Sequence, residues 1–198
     1  NRKNEISMDR LFQVLWKDDD VDDPANALKN LAYRLRNLLK KTFEREEIEF
    51  IVYKHGAYTW NPNIPCVIDV DTLESAFKSS KKMGMNQEEL LEQYKKIIDI
   101  YHGNFLPHSS YKEWVMPLTV YYQRIYMEAV EKFCTIMMER HDYKSVEEAS
   151  RKAIAVDPFI EKNHEILLKA LIGSNHQAKA LDHYNATCKL YYDELGVK

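Results

Sequence analysis

Breakers of regular structure are scarce in this chain. Five glycines and six prolines in 198 residues fall below the ~7% and ~5% usual for proteins. So few breakers, with abundant Leu, Ile, Lys and Glu, predict long helices. Long apolar runs are missing too. No stretch exceeds four consecutive apolar residues, so no segment is read as spanning a bilayer, and no secretory leader is read. The three cysteines (Cys66, Cys134 and Cys188) are odd in number and far apart. That argues against a disulfide framework and fits a reducing cytoplasm. Catalytic signatures are equally thin. There is no Gly-rich phosphate loop, Gly-x-Ser-x-Gly, His-Glu-x-x-His or Cys-x-x-Cys, so no enzyme, cofactor or catalytic residue is expected. What is present is a folded composition, 45% hydrophobic and 30% charged, with apolar area for a substantial core.

The net charge of −3 hides a segregation along the chain. Residues 1–60 carry eleven basic and eleven acidic side chains, and residues 61–198 carry seventeen and twenty. Within the first part Asp18, Asp19, Asp20, Asp22 and Asp23 cluster before Pro24, and five cations (Lys29, Arg34, Arg36, Lys40, Lys41) follow without an acid. The acidic run lacks the ligand alternation, Gly and Glu of a calcium loop, so it reads as a solvated loop and no metal site is expected. Asp23 and Pro24 are a good N-cap and first helical residue. Leu28, Leu31, Ala32, Leu35, Leu38 and Leu39 then recur at three and four, the mark of one buried face. The opposite face presents Asn26, Lys29, Asn30, Tyr33, Arg34, Asn37 and Lys41, with Arg36 and Lys40 on its flank. A solvated amphipathic helix would show the same charge pattern.

Its neighbours favour a more specific reading. Ser7 caps a short helix running to Trp16. Ile48–Tyr53 reads as a strand, Lys54-His55-Gly56 as a turn, and Ala57–Trp60 as a returning strand. Helix, loop, basic helix and hairpin in that order describe a helix-turn-helix with a wing, whose second helix enters the major groove of duplex DNA. Arg34, Asn30 and Asn37 would then reach base edges. Lys29, Tyr33, Arg36, Lys40, Lys41 and the wing residues Lys54 and His55 complete the expected DNA-binding set.

A repeat follows. His141–Pro158 fits the first helix of a tetratricopeptide repeat, with Ala149 and Ala153 small enough for a neighbouring helix to approach. One 34-residue period later Asn175, Ala180 and Tyr184 stand where His141, Val146 and Ser150 stood. The intervening helix, about 159–172, carries Ile166, Leu167, Ala170 and Leu171 and stops near Gly173. A looser copy begins at Met85, with Leu90, Tyr94 and Ile97 in matching slots and a longer second helix over about 117–140. Asn61-Pro62-Asn63-Ile64-Pro65 cannot continue a helix and reads as a linker. A helix over 69–82 follows it, with Leu73, Ala76 and Phe77 inward and Asp71 near its N-cap. Helical spacing makes most of Met83, Met85, Met116, Met127, Met137 and Met138 core fillers. Most of Tyr121, Tyr122, Tyr126, Tyr143, Tyr184, Tyr191 and Tyr192 should pack between repeat helices, though some could line a concave partner face. His176 and His183 lie two turns apart, too far for one metal ion. His164 and His183 could approach across the repeat pair to share a metal ion, but a pair of polar groove residues is the favoured reading.

Residues 26–39, with their Arg-Leu-Arg core, and the later Gly56-Ala57-Tyr58 resemble the recognition helix and wing of response-regulator-type winged helices. The "Tyr…Gly…Phe-Leu-Pro…Trp" pattern of Tyr101–Pro107 and Glu113-Trp114-Val115, with the closing Glu194-Leu195-Gly196-Val197, resembles the bacterial transcriptional activator domain of SARP-type regulators. The resemblance implies a mainly α fold: a partial winged helix-turn-helix with a β-hairpin wing (1–60), a linker (61–68) and a tetratricopeptide-like activator domain (69–198). It implies a cytoplasmic transcription regulator that reads promoter DNA and whose helical domain dimerises, receives a signal or touches RNA polymerase. A homodimer is expected because such readers commonly use paired half-sites. The family's winged helix has a sheet and a first helix ahead of Ser7, and that helix would cover Leu11, Leu15, Leu31 and Leu35. The competing expectation is a protein-interaction module of tetratricopeptide type, without DNA binding by this chain.

Overall fold

The structure, a computed structural model, describes residues 5–16 and 22–196. Asp18, Asp19 and Asp20 of the acidic run, and Val197 of the closing motif, lie outside the described residues. The chain divides into two compact units, Asn1–Cys66 and Val67–Lys198.

In the first unit, Ser7 Oγ accepts from Arg10 N and starts helix α1 (Met8–Leu15). Asp23 Oδ1 accepts from Asn26 N at 3.0 Å, and Pro24 is the first residue of α2 (Pro24–Phe43). A side-chain acceptor for an orphan N–H and a fixed φ are what a helix start requires. α2 stops at Glu44, which takes the left-handed conformation with φ 51°. Strands β2 (Ile51–Lys54) and β3 (Ala57–Trp60) form a hairpin closed by His55 and Gly56, with φ 50° and 79°. Positive φ at both central residues matches the twist of the flanking strands. The sequence pattern placed the first strand from Ile48. Pairing begins instead at Ile51, opposite Trp60. A two-residue strand, β1 (Ile6–Ser7), pairs antiparallel with β3, giving the order β1-β3-β2. Two residues carry no periodicity, so nothing in the sequence signalled β1.

The second unit is a run of antiparallel helices: α3 (Asp69–Ser80), α4 (Gln87–Ile100), α5 (Val115–Glu139), α6 (Tyr143–Val156), α7 (Glu161–Gly173) and α8 (Gln177–Leu195). Each packs on its sequence neighbour. A short 3-10 turn (Pro107–Ser109) precedes α5. The N-cap of α3 is Ile68, with Asp71 near it as expected. Asp71 sits in the first turn, where its charge still complements the helix dipole. α4 opens with a reciprocal capping box between Asn86 and Glu89.

The core runs through Leu73, Ile97, Ile125, Tyr126, Ala129, Val130 and Val146, all buried. Tyr101 stacks on Tyr126 with ring centroids 4.4 Å apart. Met127, Met137 and Met138 pack against this core, whereas Met83 and Met116 face solvent. The 34-residue period is visible in the backbone. His141 and Asn175 both adopt φ 60°, and each donates its N–H to a carbonyl of the helix just ended (Met138 and Ile172) at 3.0 Å. Val146 and Ala180 are both buried. Ser150 is inaccessible but its counterpart Tyr184 is 54% exposed.

Candidate nucleic-acid interface

α2 has two working faces. Leu28 and Ala32 are buried, and its C-terminal end is pinned to the hairpin by aromatic packing. Phe43 meets Phe50 at 5.3 Å and Phe50 meets Trp60 at 5.7 Å. Trp60 Nε1 donates to the Ile64 carbonyl at 3.0 Å, and Asn61 Nδ2 to the Glu49 carbonyl at 2.7 Å. These contacts hold the hairpin at a set angle to the helix. The β1–β3 edge adds Met8 N donating to Gly56 O at 3.1 Å, so the turn itself is tied to the start of α1.

The outer face of α2 is polar and open. Lys29, Asn30, Tyr33, Arg34, Asn37 and Lys41 are exposed, Tyr33 to 65%. Lys40 is half-buried on the flank. The twenty residues of α2 contain no acidic side chain. At the hairpin tip Lys54 and His55 are exposed. Tyr53 and Tyr58 oppose one another behind them, with ring centroids 4.8 Å apart. Eight of the ten side chains expected to face DNA are thus open to solvent, on α2 and the wing tip.

Arg36 differs. Its Nε donates to the Ile51 carbonyl at 2.8 Å and a terminal nitrogen lies 3.5 Å from the Glu49 carboxylate. Its side chain is only 25% exposed. The guanidinium thus joins α2 to β2, and its charge is partly neutralised by Glu49. The tie depends on Glu49 and Ile51, thirteen and fifteen residues away, which spacing along one helix does not reveal.

On the other side of α2 lies an apolar cavity of about 640 Å³, lined among others by Leu11, Leu15, Leu31, Leu35, Leu38 and Trp60. Arg34 also lines it. Leu31, Leu35 and Leu38 are exposed.

In the helical unit two of the histidines meet across the repeat pair. His164 Nδ1 lies 3.0 Å from His183 Nε2. Among the described residues no group of three His, Cys, Asp or Glu side chains could hold a metal ion. Cys134 is buried, which pushes its thiol up to about 12, while Cys66 and Cys188 are exposed. Among the described residues no helix is long and apolar enough to cross a membrane.

The sequence profile of the bacterial transcriptional activator domain matches residues 68–198. Among solved structures, the chain is similar to Mycobacterium tuberculosis EmbR in complex with a low-affinity phosphopeptide, with a TM-score of 0.57 and 15% identity. That alignment covers 100% of this chain and 52% of EmbR, so the chain spans about half the length of that protein. No curated protein matches the sequence. At 15% identity the EmbR likeness establishes the shared, mainly helical fold. With the profile match spanning about two thirds of its length, the chain belongs to the bacterial transcriptional activator domain family, as its likeness to SARP-type regulators implied.

Proposed function

We propose that this chain is the DNA-reading and activator portion of a transcription regulator acting in the cytoplasm. On this reading residues 1–60 form the winged-helix part of a DNA-binding domain, 61–68 the linker and 69–198 the activator domain. α2 lies in the major groove, with Arg34, Asn30 and Asn37 towards base edges. Lys29, Tyr33, Lys40 and Lys41 lie along phosphates, and Lys54 and His55 at the wing meet the adjacent backbone. Arg36 then acts as a positioning residue, setting the wing against the reading helix. The helical domain contributes dimer contacts or a surface for RNA polymerase. The observation that carries this reading is the open, acid-free outer face of α2 beside an exposed basic hairpin tip.

A second reading, a protein-interaction module, draws on the groove between α4 and α6. Two cavities of about 510 Å³ each adjoin there and share Ile98, Asp99 and Lys152.

Binding of the chain to duplex DNA from upstream of its own gene, measured across salt concentrations, tests the choice. DNA reading requires affinity that falls steeply with salt, because each neutralised phosphate releases counterions. It also requires that joint Lys29→Ala, Arg34→Ala and Lys41→Ala substitution abolish binding. Salt-independent binding, or binding unaffected by the triple substitution, overturns the assignment of α2.

A further inference from the structure

Helix α8 is attached by few apolar contacts. Its single buried residue is Ala180, which packs with Leu167 and Leu171 near the start of the helix. Beyond that point the attachment combines a polar cluster with Tyr191, whose ring packs on Phe159 with centroids 6.2 Å apart. His164 on α7 is 5% exposed, and its Nε2 lies 2.8 Å from the Pro158 carbonyl. On its other side Nδ1 lies 3.0 Å from His183 Nε2 and 3.1 Å from Thr187 Oγ1, both on α8. The two imidazoles stack with centroids 5.1 Å apart, and Tyr191 stands edge-on to His164.

Proton positions follow from the partners. A carbonyl only accepts, so His164 Nε2 carries a hydrogen and, in the neutral ring, Nδ1 is an acceptor. His183 Nε2 then supplies the one hydrogen that fits between two nitrogens 3.0 Å apart. One extra proton is accommodated. It sits on His183 Nδ1, or on His164 Nδ1 with His183 in its other tautomer. In the second case Thr187 Oγ1, which itself donates to the His183 carbonyl at 2.9 Å, is a further acceptor. A second extra proton has no place, because two N–H groups would oppose one another between two cations.

Charged groups flank the cluster on both sides. α6 presents Arg151, whose positive charge bears on His183 and is itself paired with the Glu147 carboxylate at 2.9 Å. Asp157 and Glu161 bear on Tyr191 at the other edge of the cluster. α5 reaches this side through neutral groups: Gln123 holds Asp157 and Met127 contacts Asn163. Burial, then His164 and Arg151, hold the His183 imidazole below the ordinary histidine value. A histidine depressed in this way contributes stability above its unfolded pKa of ~6.5, and that contribution declines as pH falls towards the folded value.

We propose that the His164–His183 pair is a pH-sensitive latch, holding α8 on α7 while it carries at most one extra proton and releasing α8 once both imidazoles are cationic. Release uncovers the α7 face at the end of the repeat domain without unfolding α3 to α6.

Hydrogen exchange on the intact protein between pH 7 and pH 4.5, corrected for the intrinsic rate, tests the latch. Protection of amides 183–195 should fall by about tenfold per pH unit below ~6.5, the slope for one linked proton, while α6 and α7 stay protected. His183→Gln, whose amide can donate to His164 Nδ1 but cannot charge, should remove the step. Loss of α8 together with α6 and α7, or persistence of the step in His183→Gln, overturns the proposal. Should that variant misfold, imidazole NMR on the unmodified protein still decides. The latch requires two well-separated protonations with α8 released at the second. Complete titration of both rings with α8 still protected refutes it.

Discussion

Arg36 Nε on α2 donates to the Ile51 carbonyl on β2 at 2.8 Å, coupling the proposed reading helix to its wing. Arg34, two residues earlier, is exposed and lines the apolar cavity. Neighbouring arginines of the same Arg-Leu-Arg motif therefore have different work. Arg36→Ala should lower the unfolding free energy of the first unit by ~1 kcal/mol or more, because a charge-assisted hydrogen bond is lost, and should weaken all DNA sequences alike. Arg34→Ala should leave stability within ~0.5 kcal/mol and relax selection at one base position by ~1–3 kcal/mol. Denaturant unfolding and binding to a panel of single-base variants measure the two. Equal effects of Arg34→Ala on every probe would falsify its base contact.

Lys29 and Lys41 sit on the outer face of α2 without an acidic neighbour on that helix. If each meets a phosphate, Lys29→Ala and Lys41→Ala should each reduce the slope of log affinity against log salt by ~1, with no change in sequence preference. Fluorescence anisotropy at several salt concentrations reads the slope directly.

Asp142 caps α6, its carboxylate accepting from Ser145 N at 3.2 Å and Ser145 Oγ at 2.6 Å. These bonds hold its pKa below the ordinary aspartate value. A depressed carboxylate stabilises the fold above its unfolded pKa of ~3.9 and loses that contribution as pH falls through the folded value. Asp142→Ala should cost ~1 kcal/mol at pH 7. The difference from the unsubstituted protein should vanish in acid, as pH-dependent thermal melts would show.

Gly173 closes α7 against a ring. A Cβ there would lie 2.5 Å from the Tyr143 ring, whose hydroxyl is 2.9 Å from His141 Nδ1. Gly173→Ala should cost ~1–3 kcal/mol by overpacking. Pairing it with Tyr143→Leu should recover part of that loss, a coupling that a double-mutant cycle would quantify. Strict additivity of the two substitutions would show that the ring moves aside freely.

Thiol chemistry separates the cysteines. Cys66 and Cys188 are exposed, whereas burial lifts the Cys134 thiol to about 12. The thiolate is the reacting form, so a thiol reagent at pH 8 should modify two of the three cysteines in the native protein. The third should react only on unfolding, which mass spectrometry after brief labelling would show.

Wherever the governing physics is local, the sequence alone determined the outcome. Asp23-Pro24 started α2, the three-and-four spacing of its leucines set the apolar face, and His55-Gly56 turned the hairpin. The 34-residue period carried the His141 turn to Asn175. Each depends on side chains within a turn or two, or on a repeated unit whose packing repeats with it. Other features needed the tertiary structure. Arg36 spends its charge on Ile51 and Glu49, β1 finds β3 across the length of the first unit, and Tyr184 loses the cover its repeat counterpart Ser150 enjoys. In the first two the partner is distant in sequence, and in the third two positions one repeat apart differ in what covers them. Composition and periodicity describe one segment at a time, and only the assembled chain decides which groups meet.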